Sequence, residues 1–240
     1  MNKAQGAFVL SLLSLVAGAS GVTITTNGQS ASTTVAGLTD STPPTTQALP
    51  NNGSISAIAG ALGQTDLGGG SWQFNGTTLG NLSASRGGTG ANTDVVASAQ
   101  ILYQIVFTLG VGESADVILD LGYSLSEVGI NGTLNWNLNG PGGAVTAISG
   151  NVGSSATNES LLNQTISQQQ ASLTSAGTYT FSLTGAMPSQ TTNKSQSVSL
   201  AINSVDFRIN ATAVPEPASA VFGALGAGAL LLRRRRRNLA

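Results

Sequence analysis

Between Val95 and Leu109 apolar side chains fall on every second residue: Val95, Ala97, Ala99, Ile101, Tyr103, Ile105, Phe107 and Leu109. Ser98, Gln100, Gln104 and Thr108 lie between them, a period of two that turns one face of an extended strand into a core and the other towards solvent. After a break at Gly110 to Glu113, Ala115, Val117, Leu119 and Leu121 resume the apolar row with Asp116 and Asp120 opposite, and the two runs are predicted to form a hairpin. A third alternation sets Leu134, Trp136 and Leu138 against Thr133, Asn135, Asn137 and Asn139. It stops at the Gly140-Pro141-Gly142-Gly143 turn, with Val145 to Ile148 as its return. The cleanest short strand is Gly177 to Gly185, where Tyr179, Phe181 and Leu183 alternate with hydroxyls.

The last run, Ser197 to Ala211, changes phase. Val198, Leu200 and Ile202 are even-numbered, whereas Val205, Phe207 and Ile209 are odd. One residue must be absorbed near Ser204, by a β-bulge or by a strand crossing between two sheets. Elsewhere the pattern is weaker. Ser160 to Leu173, with Leu161, Leu162, Ile166 and Leu173, is polar and poorly periodic, and reads as a long connection with one helical turn. Residues 20–70 are rich in Ser, Thr and Gly and interrupted by Pro43, Pro44 and Pro50. Val22 to Thr26 reads there as a strand, and Ile55 to Leu62 as a strand or short helix. The expected organisation is a partly ordered lead over 20–70 and a body over 71–213. Its fold class is all-β, an antiparallel β-sandwich of jelly-roll-like form.

Composition narrows the chemistry. There is no cysteine and no histidine, which removes Ser-His-Asp and Cys-His nucleophiles and the thiolate and imidazole sites of zinc and copper. Between Val22 and Val214 only Arg86, Lys194 and Arg208 are basic, against nine acids, so no patch exists for nucleic acid. Paired carboxylates remain as a hydrolytic device. Asp116 and Asp120, four residues apart on one strand face, stand roughly 13 Å from each other. A glycosidic pair needs roughly 5 to 9.5 Å. With Glu113 they read as a solvated face, and no enzyme is expected. No cofactor is expected either; calcium is the one ion to consider, in the oxygen-rich stretch Gly88 to Asp94 or the loop at Asp66, neither of which has EF-hand spacing. Among the aromatic residues, Trp136 and Tyr179 share the phase of apolar neighbours and belong to the core. Trp72, after Gly68-Gly69-Gly70, is the candidate exposed sugar contact.

The two ends carry a different message. Residues 1–19 read as a signal peptide: Lys3, an apolar segment from Ala7 to Ala17, then Ala17-Gly18-Ala19, with cleavage after Ala19. Residues 214–240 run from Pro215, Glu216 and Pro217 through the apolar Ala218 to Leu232 into Arg233, Arg234, Arg235, Arg236 and Arg237. Fifteen helical residues cover roughly 22 Å of a ~30 Å hydrocarbon core, so the span is short. Snorkelling arginines lengthen it and fix that end on the cytoplasmic side. The two prolines hold an extended, helix-incompatible segment.

This three-part order resembles the PEP-CTERM sorting signal of exported proteins from bacteria with an exopolysaccharide-rich envelope or biofilm. The resemblance implies that Pro215, Glu216 and Pro217 are a recognition triplet, that Ala218 to Leu232 is a transient transmembrane helix in the inner membrane, and that Arg233 to Arg237 are its stop signal. It further implies an exosortase-type transpeptidase as partner, cutting at or near the triplet and passing the body to the cell surface or extracellular space. Two roles are open for that body: structural or adhesive, or a carbohydrate-binding module for exopolysaccharide.

Overall fold

The computed structural model describes residues 21–36, 38–41, 45–49, 53–86, 95–153, 158–192 and 196–213. The stretches read as a signal peptide, a sorting triplet and an apolar helix, the five arginines and the stretch Gly88 to Asp94 lie outside them. Among the described residues every regular element is a strand, and no helix is long and apolar enough to cross a membrane.

In chain order the strands are β1 (Thr23–Val35), β2 (Leu38–Asp40), β3 (Thr45–Leu49), β4 (Gly53–Ala59), β5 (Gly63–Gly68), β6 (Ser71–Ser85), β7 (Val95–Leu109), β8 (Glu113–Val128), β9 (Thr133–Gly140), β10 (Gly143–Gly153), β11 (Ser160–Leu173), β12 (Gly177–Thr192) and β13 (Ser197–Ala213). They form two antiparallel sheets. The first has the order β10-β9-β12-β7-β1-β2; the second has the order β11-β8-β13-β6-β4-β3, with β5 also on β6. One apolar cluster, drawn from both sheets, lies between them. At its centre Phe207 of β13 stacks on Phe181 of β12 at 4.3 Å and is tilted against Phe107 of β7 at 6.4 Å and Phe74 of β6 at 6.3 Å. Such ring pairs add to the burial of apolar area that dominates folding. Tyr103 brings a polar tip into this core. Its hydroxyl donates to the Leu79 carbonyl, and burial pushes its phenol up to about 12.

The alternation identified inward faces correctly, but the hairpin expected of the first two runs does not form. β7 belongs to the first sheet and β8 to the second. Gly110 to Gly112 is therefore a corner that carries the chain across the core, and the two apolar rows face each other instead of lying side by side. Period-two patterning marks which side is buried and is silent on whether the next strand pairs laterally or lies across the sandwich. Gly112 takes φ +79°, and the Glu113 carboxylate accepts the Gly110 N–H at 2.6 Å. Glu113 is thus not on the solvated face expected for it; it lies inward at 6% exposure, in phase with Ala115.

Ser160 to Leu173 is likewise a strand, not a connection with a helical turn. Its register against β8 slips between Leu161 and Gln164 and again between Ile166 and Gln169. Asn163 (φ 51°) and Gln168 (φ 55°) sit at the slips in the left-handed region. Each extra residue resets the phase, which hides the period of two. The phase change in the last run has the same origin: β13 stays in one sheet, with a register shift between Ile202 and Ser204 against both β6 and β8.

The expected hairpin at Gly140 to Gly143 is present as β9–β10. Residues read as a partly ordered lead supply strands to both sheets. β1 pairs with β7 from Thr23 opposite Thr108 to Val35 opposite Ala97, and β4, a strand and not a helix, lies between β3 and β6. At the other end of the chain β13 finishes with Ala213 opposite Glu113.

Candidate functional site

The outer face of the first sheet carries a polar lattice. Asn137 on β9 stands opposite Ser182 on β12, Ser182 opposite Gln104 on β7, and Gln104 opposite Gly28 on β1. One step along, Asn135, Thr184, Leu102 and Ser30 make a second row. On the far side Ser149 and Asn151 of β10 lie opposite Asn137 and Asn135. Opposed strand residues are about 4.5 to 5.5 Å apart, so these amides and hydroxyls form a continuous grid.

An open groove of about 640 Å³ lies over the β9, β10 and β12 part of the grid, lined without a charged side chain. A smaller hollow of about 200 Å³ over Gly28, Gln29 and Ser30 continues it through the shared Leu102 and Gln104. Its floor is set by Trp136, 5% exposed, whose indole N–H donates to Gln169 Oε1 of β11 at 2.8 Å. Gly150 makes this possible. A Cβ there would lie 2.2 Å from Trp136 Cζ2, so only glycine lets β10 pass over the ring.

A second open groove, about 450 Å³, lies on the outer face of the other sheet over the bulge at Ser204, between Asn75, Gly76, Thr77, Asp120, Val205 and Asp206. Asp120 and Asp206 are direct cross-strand partners here. Both carboxylates are held by neighbouring donors. Asp206 accepts from Arg208 through both oxygens, at 3.1 Å to Nε and also to Nη2, and from Gln73 Nε2 at 2.9 Å. Asp120 accepts the Gln168 N–H at 2.8 Å. A glycosidase acid sits in apolar surroundings, whereas Asp206 is ion-paired with the Arg208 guanidinium. Asp116 fits the solvated face expected of it, accepting the Ser172 hydroxyl at 2.5 Å.

Trp72 is placed on β6, half-buried against the core, with its indole N–H donating to the Val22 carbonyl at 2.9 Å. It does not line the groove of the first sheet. Asp66 is not in a loop: it lies on the exposed strand β5, opposite Trp72, and its Oδ1 accepts the Gly68 N–H at 2.8 Å. Among the described residues no three or more acidic side chains gather into a metal cluster. Asn135, Asn137, Ser182, Thr184 and Gln104 were visible in the sequence only as the polar half of each alternation. Which polar halves adjoin depends on strand order, and no local signal carries that.

No family model matches the chain, and no curated protein does. Among solved structures it is similar to the enzymatically active domain of bacteriophage CBA120 tailspike protein 4, with 10% identity and a TM-score of 0.20 over 67% of this chain and 19% of that one. It is also similar to a chain of infectious bursal disease virus, Gx strain, with 12% identity and a TM-score of 0.22 over 82% of this chain and 60% of that one. At these TM-scores neither likeness bears on function.

Proposed function

We propose that the chain is an exported, non-enzymatic cell-surface or extracellular-matrix protein, delivered by an N-terminal signal and handed to an exosortase-type transpeptidase by its C-terminal one. The observation that carries this reading is the order of Pro215-Glu216-Pro217, the apolar Ala218 to Leu232 and Arg233 to Arg237. The body is a jelly roll in this reading. Its strand order supports that: from β6 to β13 the chain builds β6-β13-β8-β11 in one sheet and β7-β12-β9-β10 in the other, the arrangement of two interleaved Greek keys. A surface of amides and hydroxyls with few charges suits a hydrated matrix. Intact-mass measurement of the protein from producing cells tests the reading. The expected mature form begins after Ala19 and lacks the five arginines, while deleting the exosortase leaves them in place. A mature form that keeps Arg233 to Arg237 in exosortase-positive cells overturns it.

The groove on the first sheet favours a second role for the same body, recognition of a neutral exopolysaccharide. Every aromatic ring among the described residues is buried or half-buried, so a sugar is held there by hydrogen bonds alone. A few such bonds, each worth about 0.5 to 1.5 kcal/mol net, give affinities on the order of 1 mM per site. A polysaccharide array displayed at high density is therefore the suitable assay. Binding that weakens roughly fivefold in Asn137→Ala or Gln104→Ala supports this role; no binding to any polysaccharide removes it.

A further inference from the structure

Glu127 lies inward at the end of β8 and is 2% exposed. Its Oε1 accepts the N–H of Gly132, while Oε2 is buried with no hydrogen-bond partner. Such an oxygen forfeits its hydration without return. Directly across the sheet, where β11 is about to begin, stands a second carboxylate. Ser160 is paired with Ser126, and the Glu127 N–H donates to the Glu159 carbonyl at 2.8 Å, which places Glu159 opposite Glu127. Like charges at facing positions repel. Burial pushes the Glu127 carboxyl up, the Gly132 N–H holds it back, and the Glu159 charge adds to the rise. On its other side Glu127 faces Val198, which offers no donor. Gly132 is equally closed: a Cβ there would lie 2.9 Å from Val198 Cγ2 and 3.3 Å from Glu127 Oε1.

Two facing acids, one of them with a bare buried oxygen, make an all-oxygen donor set. We infer that Glu127 and Glu159 bind a hard divalent cation, calcium by chemical class, where β8, β11 and the β8–β9 connection meet. Oxygen-only donors select calcium or magnesium over softer metals, and a site assembled from a strand and two connections suits the larger, less exacting ion. Backbone carbonyls and water complete such a shell. A cation turns the repulsion between the two glutamates into a shared attraction and occupies Oε2. The site does not rest on the sorting or sugar-binding readings.

Thermal unfolding of the purified full-length chain, in chelator and with calcium at neutral pH, tests it. Calcium at about a hundredfold excess over its Kd is expected to raise Tm by roughly 5 to 10 °C. Glu127→Gln keeps the shape and the acceptor for Gly132 and is expected to lose that rise; Glu159→Gln, at a half-buried position, is expected to reduce it. Calorimetric titration is expected to give one calcium per chain in the wild type and none in Glu127→Gln. No calcium-dependent rise in the wild type, or a rise undiminished in both variants, overturns the inference.

Discussion

At the scale of single residues the notable positions are the few charges that face inward. β8 has one inward phase, shared by Glu113, Ala115, Val117 and onward to Glu127. Glutamates at its two ends follow that phase although their chemistry prefers water. Each is accommodated by a backbone N–H from a neighbouring turn, Gly110 for Glu113 and Gly132 for Glu127. They differ in electrostatics. Glu127 sits opposite another acid, and its pKa in the folded state lies above the ordinary value of 4.5. The folded chain therefore binds more protons than the unfolded chain at pH values above that. The contribution of Glu127 is fully present below the unfolded pKa and is lost as pH rises through the folded one. In chelator, Tm of the wild type relative to Glu127→Gln is expected to fall between acid and neutral pH, leaving the variant the more stable of the two at neutrality. Scanning calorimetry of both proteins across that range checks this, and parallel curves would refute it.

Elements show how far local pattern reaches. Trp136, Tyr179 and the odd residues of β7 from Ala97 to Leu109 were legible as core because one strand's alternation decides which side is buried. β11 was not legible, since two inserted residues reset its phase twice within one strand. Those insertions have a use at the sheet edge. β10 and β11 are edge strands of the two sheets, and neither contains a charged residue. Edge strands are commonly guarded from pairing with other chains by charge, proline, shortness or bulges. Here the bulges do it: the Asn163 N–H turns to Ser124 Oγ at 3.0 Å and the Gln168 N–H to Asp120 Oδ1. β10 is bulged as well, between Ala144 and Ser149, and the opposite edges β2 and β3 are only three and five residues long. Deleting both Asn163 and Gln168 straightens β11 without shifting its register and is expected to produce dimers and larger species. Light scattering after size exclusion reads the result. A double deletion that folds and stays as monodisperse as the wild type would show that the bulges are not the guard.

For the molecule as a whole, the sequence announced two sheets and a core but withheld which strands are neighbours. β13 illustrates the gap. Its phase change required a bulge or a crossing, and both readings fit the residues near Ser204. Only the simultaneous register shifts against β6 and β8 choose the bulge. The grooves are products of the same long-range order. Gly28, Gln104, Ser182 and Asn137 share a row though they are far apart in the chain, as do Asn75, Asp120 and Asp206 in the acidic groove.

The strand ends also give the body a direction. β1 sets out beside Thr108 and β13 finishes beside Glu113, the residues that flank the corner at Gly110 to Gly112. The chain thus enters and leaves the sandwich through one pole. Glu127, the bridge between Gly129 and Ser197, and the β8–β9 connection lie at the other pole. A body held by either end, or by both, is suspended from the same point. Pull on those ends loads β1 and β13, one strand in each sheet, while the β8–β9 connection stays at the far end from the point of attachment.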